Sequence, residues 1–292
     1  MKNLLTFSAL LTLLFFSACE ESEDSNPMKN LNLNISGLED LGSDAIYEGW
    51  LIVDGAAISS GTFSVDANGT MSKTSFSVNA TDLDKASTFV LTIEPVPDND
   101  AGPSDVHLLG GDFSGTSAGL SVGHGAALGD DFNSSAGKYI LATPTDGPDT
   151  NENSGIWFLD LGGGSPAVGL DLPTLPAGWK YEGWVVINGQ PVTSGKFTAV
   201  DEVDEDDPFS GDMDGPPFPG EDYLRNAPAG LNFPTDLSGG TAVISIEPDP
   251  DNSPNPFTLK PLAAGIPAMA MDHLTYTLDK NLGSFPTGTA TK

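Results

Sequence analysis

The side chains best suited to chemistry are concentrated in one acidic segment, residues 201–222, which has ten Asp or Glu residues and no Lys or Arg. Four of its aspartates form two pairs with a spacing of two residues, in a stretch rich in Gly and Pro. Calcium takes about six to eight oxygen ligands, and carboxylates on such a loop can supply several of them. The spacing differs from that of an EF-hand loop, so the segment predicts either a calcium site or a solvated acidic loop. The candidate ligands are Asp204, Asp206, Asp212 and Asp214.

The other residue types leave little for catalysis or for nucleic-acid binding. One Cys allows neither an intrachain disulfide nor a Cys-based zinc or iron–sulfur site, and the three His residues are scattered. No Gly-x-Ser-x-Gly sequence stands before a predicted helix, where a nucleophilic serine would need it. The chain has 41 acidic and 11 basic residues and a net charge of −30, so phosphate backbones repel it. We predict a protein that is not an enzyme, binds no nucleic acid and has no cofactor beyond the candidate calcium ion.

The single Cys lies at the end of an N-terminal targeting sequence. Lys2 precedes an apolar run over residues 4–16, which is shorter than the roughly 20 residues of a membrane span. Two small residues follow, as a signal peptidase requires, and Cys19 comes directly after them. Residues 1–18 therefore predict a signal peptide, and its end resembles a bacterial lipoprotein signal, in which the Cys is acylated. The alternative is an ordinary secretory peptide followed by a buried Cys.

The next segment, residues 19–30, is polar and acidic and predicts a lipidated tether, since it has too little apolar surface to fold. Acids directly after an acylated Cys are also similar to the surface-export signals of some Gram-negative lipoproteins. A plain solvated linker is the alternative. We expect an outer-membrane lipoprotein of the cell envelope, in either periplasmic or surface orientation, whose lipid anchors it to the membrane.

The rest of the chain contains an internal repeat, with two copies of one sequence module. YEGWLIVDG at residues 47–55 recurs as YEGWVVING at residues 181–189, and FVLTIEP at residues 89–95 recurs as AVISIEP at residues 242–248. The Asp-Gly and Asn-Gly pairs predict tight hairpin turns, and the Pro that ends each second block predicts the end of a strand. Short strands separated by Gly and Pro favour antiparallel sandwiches.

This repeat predicts an all-β fold with two related antiparallel β-sandwich modules. A stretch rich in Gly, Ser and Ala separates them and predicts a linker or a long loop. The second copy is longer between its two blocks, where the acidic residues lie, and Phe209, Phe218 and Tyr223 predict that part of this insert packs down. The predicted bounds are 31–115 for module 1, 116–137 for the linker, 138–285 for module 2 and 201–226 for the acidic insert.

Two kinds of tryptophan are distinguished by the repeat. Trp50 and Trp184 occupy the same position in both copies, which predicts core anchors, with a carbohydrate-stacking surface as the alternative. Trp179 follows Pro-Ala-Gly in a predicted turn and is the candidate exposed aromatic for ligand binding.

The order of these motifs resembles the extracytoplasmic C-terminal domain of anti-sigma-K factors. The resemblance rests on a Leu-containing lead-in, Tyr-x-Gly-Trp, a turn, Ser-Gly-x-Phe, and then a β-rich block that ends in Glu-Pro. The matching segments are residues 38–63, 89–109, 172–197 and 241–262. The resemblance implies an all-β envelope module with a sensing or interaction role. The cytoplasmic helical domain and transmembrane helix that such factors carry have no counterpart after Cys19.

We therefore expect a non-catalytic, lipid-anchored binding or sensing protein, whose partner is an envelope protein or a glycan. Two alternatives remain open at this point. One is a carbohydrate-active enzyme or glycan-binding lipoprotein, and the other is a regulator of a sigma factor that acts through a separate partner protein.

Overall fold

The computed structural model describes residues 27–251 and 253–292, and its regular structure is almost entirely antiparallel β-sheet. The predicted all-β fold is confirmed. In chain order the strands are β1 (Met28–Ser36), β2 (Ala45–Val53), β3 (Ala56–Phe63), β4 (Ser75–Asn79), β5 (Thr88–Pro95), β6 (His107–Asp112), β7 (Ser117–Leu120), β8 (Ala136–Leu141), β9 (Gly155–Trp157), β10 (Leu159–Asp160), β11 (Ala167–Val168), β12 (Leu170–Asp171), β13 (Trp179–Ile187), β14 (Gln190–Phe197), β15 (Gly220–Asp222), β16 (Thr241–Pro248), β17 (Leu262–Gly265), β18 (Tyr276–Lys280) and β19 (Thr287–Thr291). Helix α1 (Ala80–Lys85) and 3-10 turns at Pro144–Asp146, Glu152–Ser154 and Leu282–Ser284 connect them.

The predicted signal peptide (residues 1–18), the predicted lipidation residue Cys19 and most of the predicted tether (residues 19–30) lie outside the described residues. The tether's last residues belong to β1, because backbone hydrogen bonds to β4 do not require apolar side chains. In the two described ranges, helices are too short or too polar to span a bilayer.

The first module is a sandwich of two four-stranded sheets. One has the strand order β3-β2-β5-β6 and the other has the order β4-β1-β19-β7. Side chains of β1 alternate between solvent and core, as a strand's period of two requires, and Leu31, Leu33 and Ile35 are buried. The sheets meet where Phe63 of β3 contacts Phe76 of β4, with ring centroids 6.0 Å apart.

Two strands of this sandwich differ from the predicted boundaries. β7 lies inside the segment 116–137 that was predicted as a linker or loop, and β19 lies beyond the predicted end of module 2 at residue 285. Both pair through the backbone and are rich in small residues, so their sequences lack the alternating pattern of large apolar side chains. β6 and β7 approach so closely that a Cβ on Gly111 would collide with the carbonyl oxygen of Gly119. The small residues here allow close packing rather than flexibility.

The second module is built on one larger sheet. Its strand order is β14-β13-β16-β17-β18-β8-β9-β15, and β12 also pairs with β8. Strands β10 and β11 form a separate two-stranded sheet. Strands β8 and β9 pair with each other on either side of the loop 145–154. One buried apolar core continues through both modules, because side chains from both sets of sheets belong to the same cluster.

The two copies of the repeated sequence have closely similar local folds. Tyr47 stacks on Phe63 with ring centroids 5.5 Å apart, and Tyr181 stacks on Phe197 at 5.6 Å. Each Tyr hydroxyl donates a hydrogen bond to the carbonyl oxygen eight residues earlier in the chain, at 3.0 and 2.7 Å. The hairpin between the paired strands contains a register shift close to the Gly-Trp step in both copies.

A buried chain of hydrogen bonds, here called the Trp–Glu relay, recurs in both modules. In the first, the indole Nε1 of Trp50 donates to Thr92 Oγ1 at 2.9 Å, and this hydroxyl donates to Glu94. Trp50 and Trp184 are both 3% exposed, as predicted for core anchors. In the second module the relay consists of Trp184, Ser245 and Glu247, with 2.8 Å between the indole nitrogen and the hydroxyl oxygen.

Candidate functional site

The acidic insert folds against the second module through β15, which pairs with β9. The predicted packing of the interleaved aromatic residues is confirmed, because Phe209, Phe218 and Tyr223 are all buried. Phe209 and Tyr223 contact each other and the ring of Phe233, so they form an aromatic cluster under the insert. The insert is therefore a packed part of the module rather than a free loop.

Asp222 anchors the insert from below. Its Oδ2 accepts hydrogen bonds from the backbone N–H of Thr145 at 2.8 Å and from the hydroxyl of Thr145 at 2.6 Å. Its Oδ1 accepts one from Trp157 Nε1 at 2.9 Å. Asp222 is fully buried, and desolvation raises its pKa although these donors oppose the shift. Both oxygens are thus used to hold β15, the loop at Thr145 and Trp157 together.

Two further carboxyl groups of the insert, those of Glu221 and Asp204, are desolvated by the fold. Glu221 is fully buried, and burial raises its pKa to about 8, although the hydroxyl of Ser210 donates to it. Asp204 has a pKa raised to about 7 by desolvation, and its Oδ2 accepts a hydrogen bond from the backbone N–H of Gly220 at 2.9 Å.

In the second module, Asp204 occupies the position that Phe76 fills in the first module. A Cβ on Gly61 would contact the ring of Phe76, whereas a Cβ on the equivalent Gly195 would collide with the carboxyl group of Asp204. Gly195 has φ +105°, a conformation that side chains other than Gly rarely adopt. The Ser-Gly-x-Phe motif therefore leaves a gap that an aromatic ring fills in one module and a carboxylate fills in the other.

The folded insert encloses a cleft of about 440 Å³, here called the acidic cleft. Its lining includes Trp157, Phe218 and five aspartates of the insert: Asp204, Asp206, Asp207, Asp212 and Asp214. Nearby bases are already paired: Arg225 Nη1 lies 2.8 Å from Asp212 Oδ1, and Lys180 Nζ lies 2.9 Å from a carboxylate oxygen of Glu205. Of the described lining acids, Asp204, Asp206, Asp207 and Asp214 have no base within ion-pair distance, so the cleft keeps uncompensated carboxyl groups.

The four predicted calcium ligands all line this cleft, but they are not gathered into a chelating set. Asp204 is half-buried, whereas Asp206, Asp212 and Asp214 are exposed, and Asp212 is paired with Arg225. Among the described residues, the acidic side chains that come within 4.8 Å of one another as a group of three are Glu182, Glu247 and Asp251.

Sequence reasoning missed this second group because its members come from separate segments of the chain. One signal for it exists in the repeat: both copies of each block keep the same Glu, so Glu182 matches Glu48 and Glu247 matches Glu94. A carboxylate kept in both copies inside a β-rich block is unusual, since acidic residues are depleted in strands.

The prediction of Trp179 as an exposed ligand-binding residue is wrong. Trp179 is 3% exposed and is the first residue of β13, where it pairs with Pro248 of β16. Its ring packs against Phe257 with centroids 6.0 Å apart. The turn predicted from Pro-Ala-Gly ends at Gly178, and the strand begins at the next residue, so the indole turns into the core.

Comparisons with known proteins give no independent indication of function, since no family model, curated protein or solved structure matches the chain. The resemblance to anti-sigma-K factors stays a prediction.

We predict that Asp222→Asn destabilises the second module. Asn keeps the shape but presents an NH2 group to one of the donors at Thr145 or Trp157, so a buried donor loses its acceptor. The free energy of unfolding should fall by about 2–3 kcal/mol, measured by urea denaturation. Asp207→Asn, in the exposed rim of the cleft, is the matched control, and equal stabilities of the two variants would contradict the anchoring role.

We also predict that the protein becomes less stable as the pH rises from 5 to 8. Burial raises the pKa of Glu182 to about 7 and the pKa values of Glu221 and Glu247 to about 8, from 4.5. The folded state therefore holds protons that the unfolded state has released, and stability that is fully present below about pH 4.5 is lost as the pH rises through 7 to 8.

Melting temperatures at a series of pH values in a calcium-free buffer measure this effect. The double variant Glu221→Gln and Glu247→Gln cannot ionise at two of these positions and should lose less stability over the same interval. A wild-type melting temperature that is constant or rises between pH 5 and 8 would show that these carboxyl groups are not shifted in this way.

Proposed function

We propose that this chain is a non-catalytic, lipid-anchored binding or sensing protein of the cell envelope, and that the acidic cleft binds a cationic ligand, with calcium as the simplest candidate. The observation that carries this proposal is the cleft itself, in which Asp204, Asp206, Asp207 and Asp214 surround a space of about 440 Å³. Low-dielectric walls and carboxylates of one sign focus the field and raise the local concentration of cations.

The anchoring part of the proposal is supported by the sequence at the N-terminus. Cys19 follows a signal-like segment, and β1 begins at Met28, nine residues later. A chain of that length spans at most about 30 Å, so a lipid on Cys19 would hold the modules close to the membrane surface. A role at that surface fits the interaction role implied by the resemblance to anti-sigma-K factors.

A glycan-binding or glycan-cleaving role is the second candidate. Trp157 and Phe218 line the cleft beside carboxyl groups, and Asp204 has a raised pKa, as a general acid needs. However, Trp157 is only 4% exposed and its Nε1 is engaged by Asp222, so little of the ring is free to stack on a sugar. A cationic ligand fits the cleft better.

We predict that calcium raises the melting temperature of the full chain and that this increase depends on the cleft. A ligand that binds only the folded state stabilises it by about 2.7 kcal/mol at a concentration of one hundred times Kd. The variant with Asp204, Asp206, Asp212 and Asp214 all changed to Asn should lose the increase. A variant with Asp40, Asp44, Asp66 and Asp279 changed to Asn is the control for charge alone, and an equal loss in both variants would contradict a specific site.

We further predict that Cys19 carries lipid when the chain is produced in a bacterium that processes lipoproteins. Mass spectrometry of the mature N-terminus should show an acylated Cys19, and Cys19→Ser should move the protein from the membrane fraction to the soluble fraction. A Cys19→Ser variant that stays in the membrane fraction would contradict the proposed anchor.

A further inference from the structure

Three carboxylates converge at one end of the strands that carry the repeat in the second module. Glu182 lies in β13, Glu247 lies near the end of β16, and Asp251 follows β16 in the next turn. One carboxylate oxygen from each lies within 4.8 Å of one from each of the others. This group is here called the Glu–Glu–Asp triad, and it is separate from the acidic cleft.

Each member of the triad is held in place by hydrogen-bond donors. Glu182 Oε1 accepts a hydrogen bond from the hydroxyl of Thr193 at 2.5 Å. Glu247 accepts hydrogen bonds from the hydroxyl of Ser245 and from the backbone N–H of Phe257, which lies 2.9 and 3.1 Å from its two carboxylate oxygens. Asp251 Oδ1 accepts one from the backbone N–H of Ser253 at 2.7 Å. The carboxylates are thus pre-positioned by the fold.

One oxygen of the triad has no hydrogen-bond donor. Glu182 is 3% exposed, and its buried Oε2 accepts no hydrogen bond from the described part of the chain. A buried polar atom without a partner destabilises the fold, and more so when it is charged. The nearest cation is the ammonium of Lys196, which is 3.1 Å from Asp251 Oδ2 but 3.9 Å from Glu182 Oε2. The ammonium of Lys196 therefore lies near Glu182 Oε2 but too far from it to donate a hydrogen bond.

We infer that Glu182, Glu247 and Asp251 form a binding site for a hard divalent cation of the calcium class, in which the ammonium of Lys196 is a competing internal cation. Such cations take oxygen ligands and accept mono- or bidentate carboxylates at variable distances. Three carboxylates supply the charge that Lys196 alone does not balance, and the side chain of Lys196 is 28% exposed, so it has a path to solvent.

The first module contains the carboxylates that match this site but not the matching lysine. Glu48, Glu94 and Asp98 match the triad in the repeat, and they accept hydrogen bonds from equivalent donors, the hydroxyls of residues 59 and 92 and the backbone N–H groups of residues 100 and 104. Thr62 stands where the second module has Lys196. The carboxylates are therefore common to both copies, whereas the lysine belongs to one copy and is not required to hold the fold.

Terbium luminescence tests this inference, because Tb³⁺ is a probe for calcium sites and an indole nearby sensitises its emission. Trp184 Nε1 lies 2.8 Å from Ser245 Oγ, which donates to Glu247, so this indole is close to the triad. The titration uses the full chain with Asp204, Asp206, Asp207, Asp212 and Asp214 changed to Asn, so that the acidic cleft loses all the aspartates that line it. We expect saturable emission that excess calcium removes.

Substitutions in the same background identify the site. Lys196→Thr, which installs the residue of the first module, should tighten binding at least about tenfold, since it removes the competing charge. Glu182→Gln should weaken binding at least about tenfold. Glu48→Gln, the matched change in the first module, should leave binding unchanged, because the described carboxylates of that module do not converge within 4.8 Å as the triad does. Trp184→Phe should lower the emission. The remaining tryptophans should still sensitise enough emission for calcium competition to measure binding.

The inference is overturned if Lys196→Thr shows no calcium-sensitive emission, or if Glu182→Gln and Glu48→Gln bind equally well. Circular dichroism of each variant establishes that it is folded, and Lys196→Thr keeps the test decisive if Glu182→Gln does not fold. Because the cleft aspartates are absent from this background, a negative result here leaves the proposed role of the cleft intact, and a failure of the cleft leaves the triad intact.

Discussion

A hydrogen-bonded relay from a tryptophan through a hydroxyl to a glutamate determines the geometry of both modules. The indole N–H needs an acceptor once it is buried, the Thr or Ser hydroxyl supplies it, and that hydroxyl needs an acceptor in turn. The glutamate completes the chain and also accepts a backbone N–H from the loop that follows its strand. A core anchor and a loop are thus joined by one carboxylate. Removal of any member would leave a buried polar atom without its partner.

This constraint explains why the modules keep buried acids where strands usually carry apolar residues. In the first module, Glu94 has a hydroxyl and a backbone N–H as donors, and Phe76 fills the gap beside Gly61 with an apolar ring. In the second module, Asp204 fills the equivalent gap, and Glu221 and Asp222 are added beneath the insert. The duplicated unit therefore diverged by placing more carboxyl groups on the same framework. Asp222 and Glu221 each accept three hydrogen bonds, yet burial raises the pKa values of both, as it does for Asp204.

Much of the fold was predictable because the repeated blocks contain strong local signals. The Asp-Gly and Asn-Gly turns have positive φ at both residues, and the tryptophans between β-branched neighbours are core residues, as the period of two requires. The burial of the insert's aromatic residues was predictable because large apolar side chains stand between its acids. β19 was not predictable, because a strand such as Thr-Gly-Thr-Ala-Thr is defined by its partners in the first module, far away in the sequence. The convergence of Glu182, Glu247 and Asp251 also depends on the pairing of β13 with β16, which local patterns do not specify.

The shortage of bases gives the carboxyl groups of the second module their significance. With 11 basic and 41 acidic residues, the chain has too few bases to pair all its acids. Two lysines near the insert each lie close to two acids: Lys180 lies near Glu205 and Asp249, and Lys196 lies near Glu182 and Asp251. A buried carboxyl group can otherwise be neutralised only by a proton or by a cation from solution. Several of these groups have pKa values of about 7 to 8, so protons and external cations compete for them near neutral pH. In the proposed role, external cations would replace bound protons and lysine contacts at the acidic cleft and the Glu–Glu–Asp triad, and this exchange would be the physical basis of binding or sensing.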